Sequence, residues 1–320
     1  MKIALVLPSI TESYLKLARQ ISADGVVTGL PPRGDDPLHG FGEIVALRKR
    51  IEDAGLRLMV IESMAIPDRV KLGLPGRDED IERWRAGLRN LGAAGVPIVC
   101  YNWMAVFGWL RTSFTTRVRG DALATSYDHD IVARGPLSEY GQVAEERLWD
   151  SLNYFLQAVV PAAEEANVLL AIHPDDPPLS PIRGIGRILT SPEALQRVVD
   201  LVPSRVNGIT FCQGCFAEMG ADLPAEIRRF AGQEKLFFAH FRNLKGDRYH
   251  FTEMFHDDGE TDMYAAMKAY LEAGFDGPMR PDHVPTLEGD DNARPGYSLL
   301  GRLFAVGYMR GLIEAIEKGR

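Results

Sequence analysis

The chain has 320 residues, of which 46% are hydrophobic and 25% charged, and its formal net charge is −8. That composition suits a soluble globular protein with a large core, and it excludes a disordered or collagen-like chain. The negative balance argues against a nucleic-acid surface, which shows a basic stripe; a local arginine cluster would still suffice for an anionic small molecule.

In chain order, the first apolar run is KIALVL (2–7). It stops at Pro8 without a cleavage pattern and reads as a strand rather than a leader. GVVTG (25–29), RLMVIES (57–63), PIVCYN (97–102) and VLLAIH (168–173) follow, then NGITFC (207–212), KLFFAHF (235–241) and GPMRPDH (277–283). Between these runs apolar residues recur at three- and four-residue spacing, as in ESYLKLARQIS and ERLWDSLNYFLQAVV, which predicts helices. Gly55, Gly95 and Gly274 stand where helices would end, and Ser191-Pro192 where one would begin. Eight strands alternating with helices predict an α/β fold, a (β/α)8 TIM barrel in a single domain over 1–320. A doubly wound open sheet is disfavoured, because no G-x-G-x-x-G follows the first strand. The segment from about 103 to 141 is a long insertion on the active face, rich in aromatics and arginines, and reads equally as a lid or an oligomer contact.

His173, Cys212, His240 and Asp282 fall at or next to the ends of four successive strands. Side chains alternate along a strand. Leu236, Phe238 and His240 would therefore share an inward row, as would Gly208, Thr210 and Cys212. Taken singly, each ligand candidate has an ordinary core explanation, but four at one barrel mouth predict a metal site. Two imidazoles, a thiolate and a carboxylate suit a transition metal such as Zn2+ or Fe2+, whereas calcium and magnesium ask for oxygens alone. Cys100 and Cys215 are read as small core hydrophobes. Three cysteines make no disulfide framework, so a cytoplasmic setting is expected. No apolar run reaches membrane-spanning length.

VKLGLPGRD (70–78), VCYNWMAVFGWLRT (99–112), HPDDPP (173–178), NGITFCQG (207–214), RPDH (280–283) and RPGY (294–297) lie in order along nearly the whole chain. In these segments the sequence resembles the mannonate dehydratase family. The resemblance implies a xylose-isomerase-like TIM barrel and a lyase that dehydrates D-mannonate to 2-keto-3-deoxy-D-gluconate with Mn2+ or Fe2+. It places the metal on the same four residues and gives acid/base roles to His283 and Tyr297. The cation expected beside Tyr297 is Arg294. VFGWLRT carries Gly108 where the family has an acidic residue, and RPDHV and RPGYS also depart from its pattern.

For a sugar-acid substrate, the layout offers Arg183, Arg187, Arg242, Arg280 and Arg294 as carboxylate partners, and Asn102 and Asn243 as hydroxyl partners. His256 matches a family histidine, for substrate contact or loop anchoring. Asp175 and Asp176 are expected to orient His173 or arginines. Other readings are a paralogue acting on another sugar acid, a metal-dependent sugar isomerase or epimerase, and a silent metal-stabilised binding protein. No nucleic-acid or membrane partner is expected, and a homodimer is the expected assembly.

Overall fold

The computed structural model describes residues 1–30 and 40–319. Its strands in chain order are β1 (Lys2–Val6), β2 (Gly25–Thr28), β3 (Arg57–Ile61), β4 (Ile98–Asn102), β5 (Ser113–Arg117), β6 (Leu123–Asp128), β7 (Leu169–His173), β8 (Asn207–Cys212), β9 (Leu236–Phe241), β10 (Leu244–Gly246), β11 (His250–Glu253) and β12 (Pro278–Pro281). Eight of them close into a barrel in the order β1-β12-β9-β8-β7-β4-β3-β2, with parallel pairing throughout. These are the eight predicted runs.

Each strand is short, apolar and covered by a helix, so both its faces are buried, as parallel sheets require. The larger core lies between barrel and helices, with Trp84, Tyr101 and Phe155 in edge and tilted ring contacts. The interior is plugged by Ala4, Met59, Cys100, Ala171 and Phe238. The helix over Pro192–Leu201 starts as read: Ser191 Oγ accepts from the Ala194 amide at 3.2 Å. Gly55, Gly95 and Gly274 follow helix ends at φ of 77°, 72° and 70°, the left-handed region that favours glycine.

Two departures from the sequence reading matter. First, the expected inward row of β9 is broken. Pairing of β8 with β9 shifts between Ile209 and Thr210, so that Ile209 faces Leu236 and Thr210 faces Phe238. Phe237 joins Phe238 in the interior, and Leu236 turns to the helix side. Gly208 makes room: a Cβ there would meet the Phe237 ring at 2.5 Å. Second, the 103–141 segment is not a freestanding loop. It supplies β5 and β6, which join β10 and β11 in an antiparallel sheet of order β10-β11-β6-β5. Thus the insertion after β4 is laced to the loop after β9, over the C-terminal mouth. Among the described residues no helix is long and apolar enough to cross a membrane.

Gly208→Ala is expected to cost about 1–3 kcal/mol through overpacking against Phe237. Urea denaturation should show a lower midpoint at unchanged slope.

Candidate active site

Four donor groups converge at the mouth. His173 Nε2 lies 3.2 Å from His240 Nδ1, and His240 Nδ1 lies 3.4 Å from Asp282 Oδ2. Cys212 Sγ is 3.9 Å from the same Asp282 oxygen. One donor atom each from Cys212, His240 and Asp282 falls within a 4.8 Å cluster. The rings are aimed from behind. His173 Nδ1 is 2.6 Å from the Pro174 carbonyl, to which it donates, leaving the Nε2 lone pair facing the cluster. His240 Nε2 is 3.2 Å from Glu62 Oε1. Arg280 holds Asp282 Oδ1 at 2.6 Å and grips Glu62 through Nε at 2.9 Å, so both carboxylates are fixed.

The electrostatics suit a cation. Burial and Arg280 act to lower His240, but Asp282 and Glu62 outweigh them and raise it to about 10. Burial acts to raise Asp282, yet Arg280, His283 and His240 hold it well below the carboxylate range. Burial likewise opposes ionisation of Cys212, but a hydrogen bond from Cys215 and the two imidazoles hold it well below an ordinary thiol. These four donors therefore fit a divalent transition metal by chemistry and by convergence. Cys215 is more than packing. It touches Cys212, it receives Arg242 Nη1 at 3.5 Å, and burial together with Cys212 keeps it a thiol. Cys100 Sγ accepts from Thr210 Oγ1 at 3.3 Å inside the barrel.

His283 follows Asp282 with φ at 44°, a left-handed conformation uncommon outside glycine and costly unless the surroundings enforce it. Here the Val284 amide donates to the Gly296 carbonyl at 2.9 Å, pinning the two loops together. The pinning brings His283 Nε2 to 3.2 Å from Tyr297 Oη, with the rings edge-on. Burial first, and then Asp282, push the Tyr297 phenol up. The guanidinium near its ring is Arg280, 6.0 Å from the centroid. Arg294, expected there, is exposed and donates to the Pro8 carbonyl at 2.9 Å.

A cavity opens over both groups, lined by Glu62, Asn102, Trp109, Asp176, Arg280 and Tyr297 together with His173, His240, Asp282 and His283. Of the substrate contacts expected from sequence, Asn102 and Arg280 line it. Asn102 is held by the buried Lys71, whose ammonium donates to the Met104 carbonyl at 2.9 Å and to Asn102 Oδ1 at 3.4 Å; burial lowers Lys71 to about 8. The other residues are placed as scaffold. Arg183 stacks over Phe107 at 4.7 Å and donates to the Pro136 carbonyl. Arg187 pairs with Asp175 at 3.3 Å and holds the Gly108 carbonyl at 3.1 Å. Asn243 accepts from the Leu244 and Thr261 amides and donates to the His256 carbonyl. His256 is buried and lies 2.6 Å from the Phe241 carbonyl, and burial lowers it to about 4, which makes it a neutral loop anchor.

Arg242 is fully buried under the site. It donates to both oxygens of Glu253 at 2.7 and 2.8 Å, to Asp176 at 3.0 Å and to Glu218 at 2.6 Å. Arg111 meets Asp176 at 2.7 Å and Glu253 at 2.6 Å from the other side. Asp176 falls to about 2 because both guanidiniums outweigh its burial. Glu218 is instead raised, by burial and by its anionic neighbours, and its Oε2 is buried without a hydrogen-bond partner. Sequence reasoning missed Glu62, Trp109, Arg111 and Glu253. Glu62 had a signal, since it directly follows strand β3 in VIES.

The groups able to hold a cation or move a proton in this cavity gather at the C-terminal mouth. That is the end at which (β/α)8 enzymes work, and it places the protein among the barrel enzymes. The family model for D-mannonate dehydratase (UxuA) matches residues 10–136 and 133–320. Mannonate dehydratase 2 of Halalkalibacterium halodurans is 40% identical over 303 aligned residues, covering 86% of this chain and 87% of the relative. The crystal structure of mannonate dehydratase from Streptococcus suis serotype 2 superposes with a TM-score of 0.93 at 34% identity, over 100% of this chain and 94% of that one. A xylose isomerase domain protein from Alicyclobacillus acidocaldarius superposes with a TM-score of 0.63 over 98% of this chain and 99% of that one; at 12% identity this shows the fold alone. The chain belongs to the D-mannonate dehydratase family and is a hydro-lyase of the xylose-isomerase-like barrel type.

Two outcomes follow from the geometry. Arg242→Met leaves Asp176 and Glu253 short of a counter-charge and should destabilise by about 3–5 kcal/mol, read by chemical denaturation. Glu62→Gln removes the charge behind His240 and should weaken Mn2+ binding by roughly 10–100-fold, read by calorimetry on a protein that still folds.

Proposed function

We propose that the protein dehydrates D-mannonate to 2-keto-3-deoxy-D-gluconate, with Mn2+ or Fe2+ held by His173, Cys212, His240 and Asp282. One observation carries this reading: three of the four donors, His173, His240 and Asp282, line the same cavity as the His283–Tyr297 pair, and Cys212 Sγ lies 3.9 Å from Asp282 Oδ2 beneath it. When bound, the cation supplies positive charge against the substrate carboxylate as the neighbouring proton leaves.

The reaction removes the C2 proton and the C3 hydroxyl as one water. The enol that remains tautomerises to the keto acid, so atoms balance. One group must take the C2 proton and one must protonate the departing hydroxyl. His283 and Tyr297 share these roles, and their hydrogen bond lets a proton pass between them. Trp109 packs 5.1 Å from the His283 ring and shields it on the cavity side. Arg280, Glu62 and Asp282 keep the donor groups in place. Among the described residues, three lining carboxylates, Glu62, Asp176 and Asp282, face one lining guanidinium, Arg280, which is already paired. Against this lining, a bound cation would favour an anionic sugar acid.

Purified protein with D-mannonate and Mn2+ under reducing conditions should yield 2-keto-3-deoxygluconate. A chelator should remove both turnover and D-mannonate binding. His283→Asn should lower kcat by about 10²–10⁴-fold with metal content unchanged. Metal-loaded wild type that forms no keto acid would sink the reading.

A further inference from the structure

We propose that Glu253 is the positioning residue for His283, fixing its imidazole in the Nδ1–H tautomer so that Nε2 exchanges the proton. The inference rests on the acid/base role proposed for His283 and assigns the atom that performs it.

A neutral imidazole carries one N–H, and the partner of one ring nitrogen decides the state of the other. His283 Nδ1 has two neighbours. Glu253 Oε1 lies at 2.9 Å, and Arg111 Nη2 at 3.3 Å. The first would accept a proton from Nδ1 and the second would donate one to it. Arg111 Nη2 is already committed to the same Glu253 oxygen at 2.6 Å and to Asp176 Oδ2 at 3.1 Å. A lone pair on Nδ1 would face an anionic oxygen at hydrogen-bond distance, which is repulsive; an N–H there makes a charge-assisted bond. Nδ1 therefore carries the proton. Nε2 is left with its lone pair toward Tyr297 Oη at 3.2 Å and the cavity; the nearest anionic oxygen on that side, Asp282 Oδ1, stands off at 3.6 Å and already accepts from Arg280 at 2.6 Å, whereas Glu253 meets Nδ1 at 2.9 Å.

Glu253 can do this only as an anion in a fixed place, and both conditions are met. Arg111 and Arg242 donate to Oε1, and Arg242 Nε donates to Oε2 at 2.8 Å. The residue ends β11, whose ladder with β6 and β10 fixes its backbone. It does not line the cavity and so does not touch substrate. When Nε2 takes a proton, the imidazolium finds this carboxylate on its far side, the arrangement by which an acid steadies a catalytic histidine.

The test is the tautomer itself, read by ¹⁵N–¹H correlation on histidine-labelled, Zn2+-loaded protein above the ordinary imidazole range. His283→Asn assigns the peaks. Wild type should show a protonated Nδ1 and an unprotonated Nε2 at His283. Glu253→Gln should shift that population and lower kcat by about 10²–10⁴-fold, with KM changed less than about threefold. Glu218→Gln perturbs the same buried network without touching His283 and should keep both the tautomer and kcat. An Nε2–H tautomer in wild type overturns the proposal, as does Glu253→Gln with wild-type kcat, or Glu218→Gln losing as much as Glu253→Gln. Should Glu253→Gln not fold, the wild-type tautomer alone decides. Wild type that turns over no D-mannonate defeats the dehydratase reading and leaves the tautomer result to judge this one.

Discussion

Arg111 and Arg242 meet Asp176 and Glu253 in the protein interior, with all four side chains essentially out of water. Taking such charges from solvent costs several kcal/mol per ion, which is recovered only if every partner is in place. The cluster therefore forms as a whole. Its members come from far-apart stretches: Arg111 from the insertion after β4, Asp176 from the loop after β7, Arg242 from just past β9, and Glu253 from β11. Once those stretches are packed together, each ion depends on the others for its counter-charge. The antiparallel sheet over the mouth, the seat of His283 and the wall behind Cys212 all rest on the cluster.

Two electrostatic regions adjoin at this mouth, with His283 Nε2 3.6 Å from Asp282 Oδ1. On one side lie Cys212, His240, Asp282 and Glu62, an anionic nest that favours a cation. On the other lies His283, whose ring is met by Glu253 and Tyr297. Arg280 stands between them. It ties Asp282 to Glu62 and lies near the Tyr297 ring, so the two regions cannot move independently. In such a site a modest shift of one loop would disturb both metal affinity and proton transfer.

What the sequence made legible follows from locality. A buried parallel strand is a short apolar run, and eight such runs mark the barrel. A strand's last inward residue points into the mouth, so His173, Cys212 and His240 could be placed by counting. Contacts between distant segments carry no local period. Nothing in the 103–141 stretch announces that Tyr127 will pair with Phe251, or that Arg111 will meet Glu253 142 residues later. The extra residue at Phe237 was hidden for a related reason: a bulge is a property of two strands together, and its only trace in one of them is Gly208. The arginines were misread in one consistent way. Position near the mouth was taken as access to it, whereas Arg187 and Arg242 are buried against protein carboxylates and carbonyls.

That misreading bears on how a sugar acid could be held. The expected bidentate clamp from arginine to the substrate carboxylate requires a guanidinium with free donors. Arg242 is spent on Glu253, Asp176 and Glu218, and Arg187 on Asp175 and two carbonyls. Arg280, which does reach the cavity, is spent on Glu62 and Asp282. Removing a pairing carboxylate would free a clamp but would also loosen the donor nest. With these three arginines committed to holding the site together, recognition of the proposed anionic substrate would draw, among the described residues, on a bound cation and on neutral groups such as Asn102. In the proposed reaction, a bound cation would then serve both binding and activation of the carboxylate, so the charge that favours the substrate would also help make its C2 proton removable.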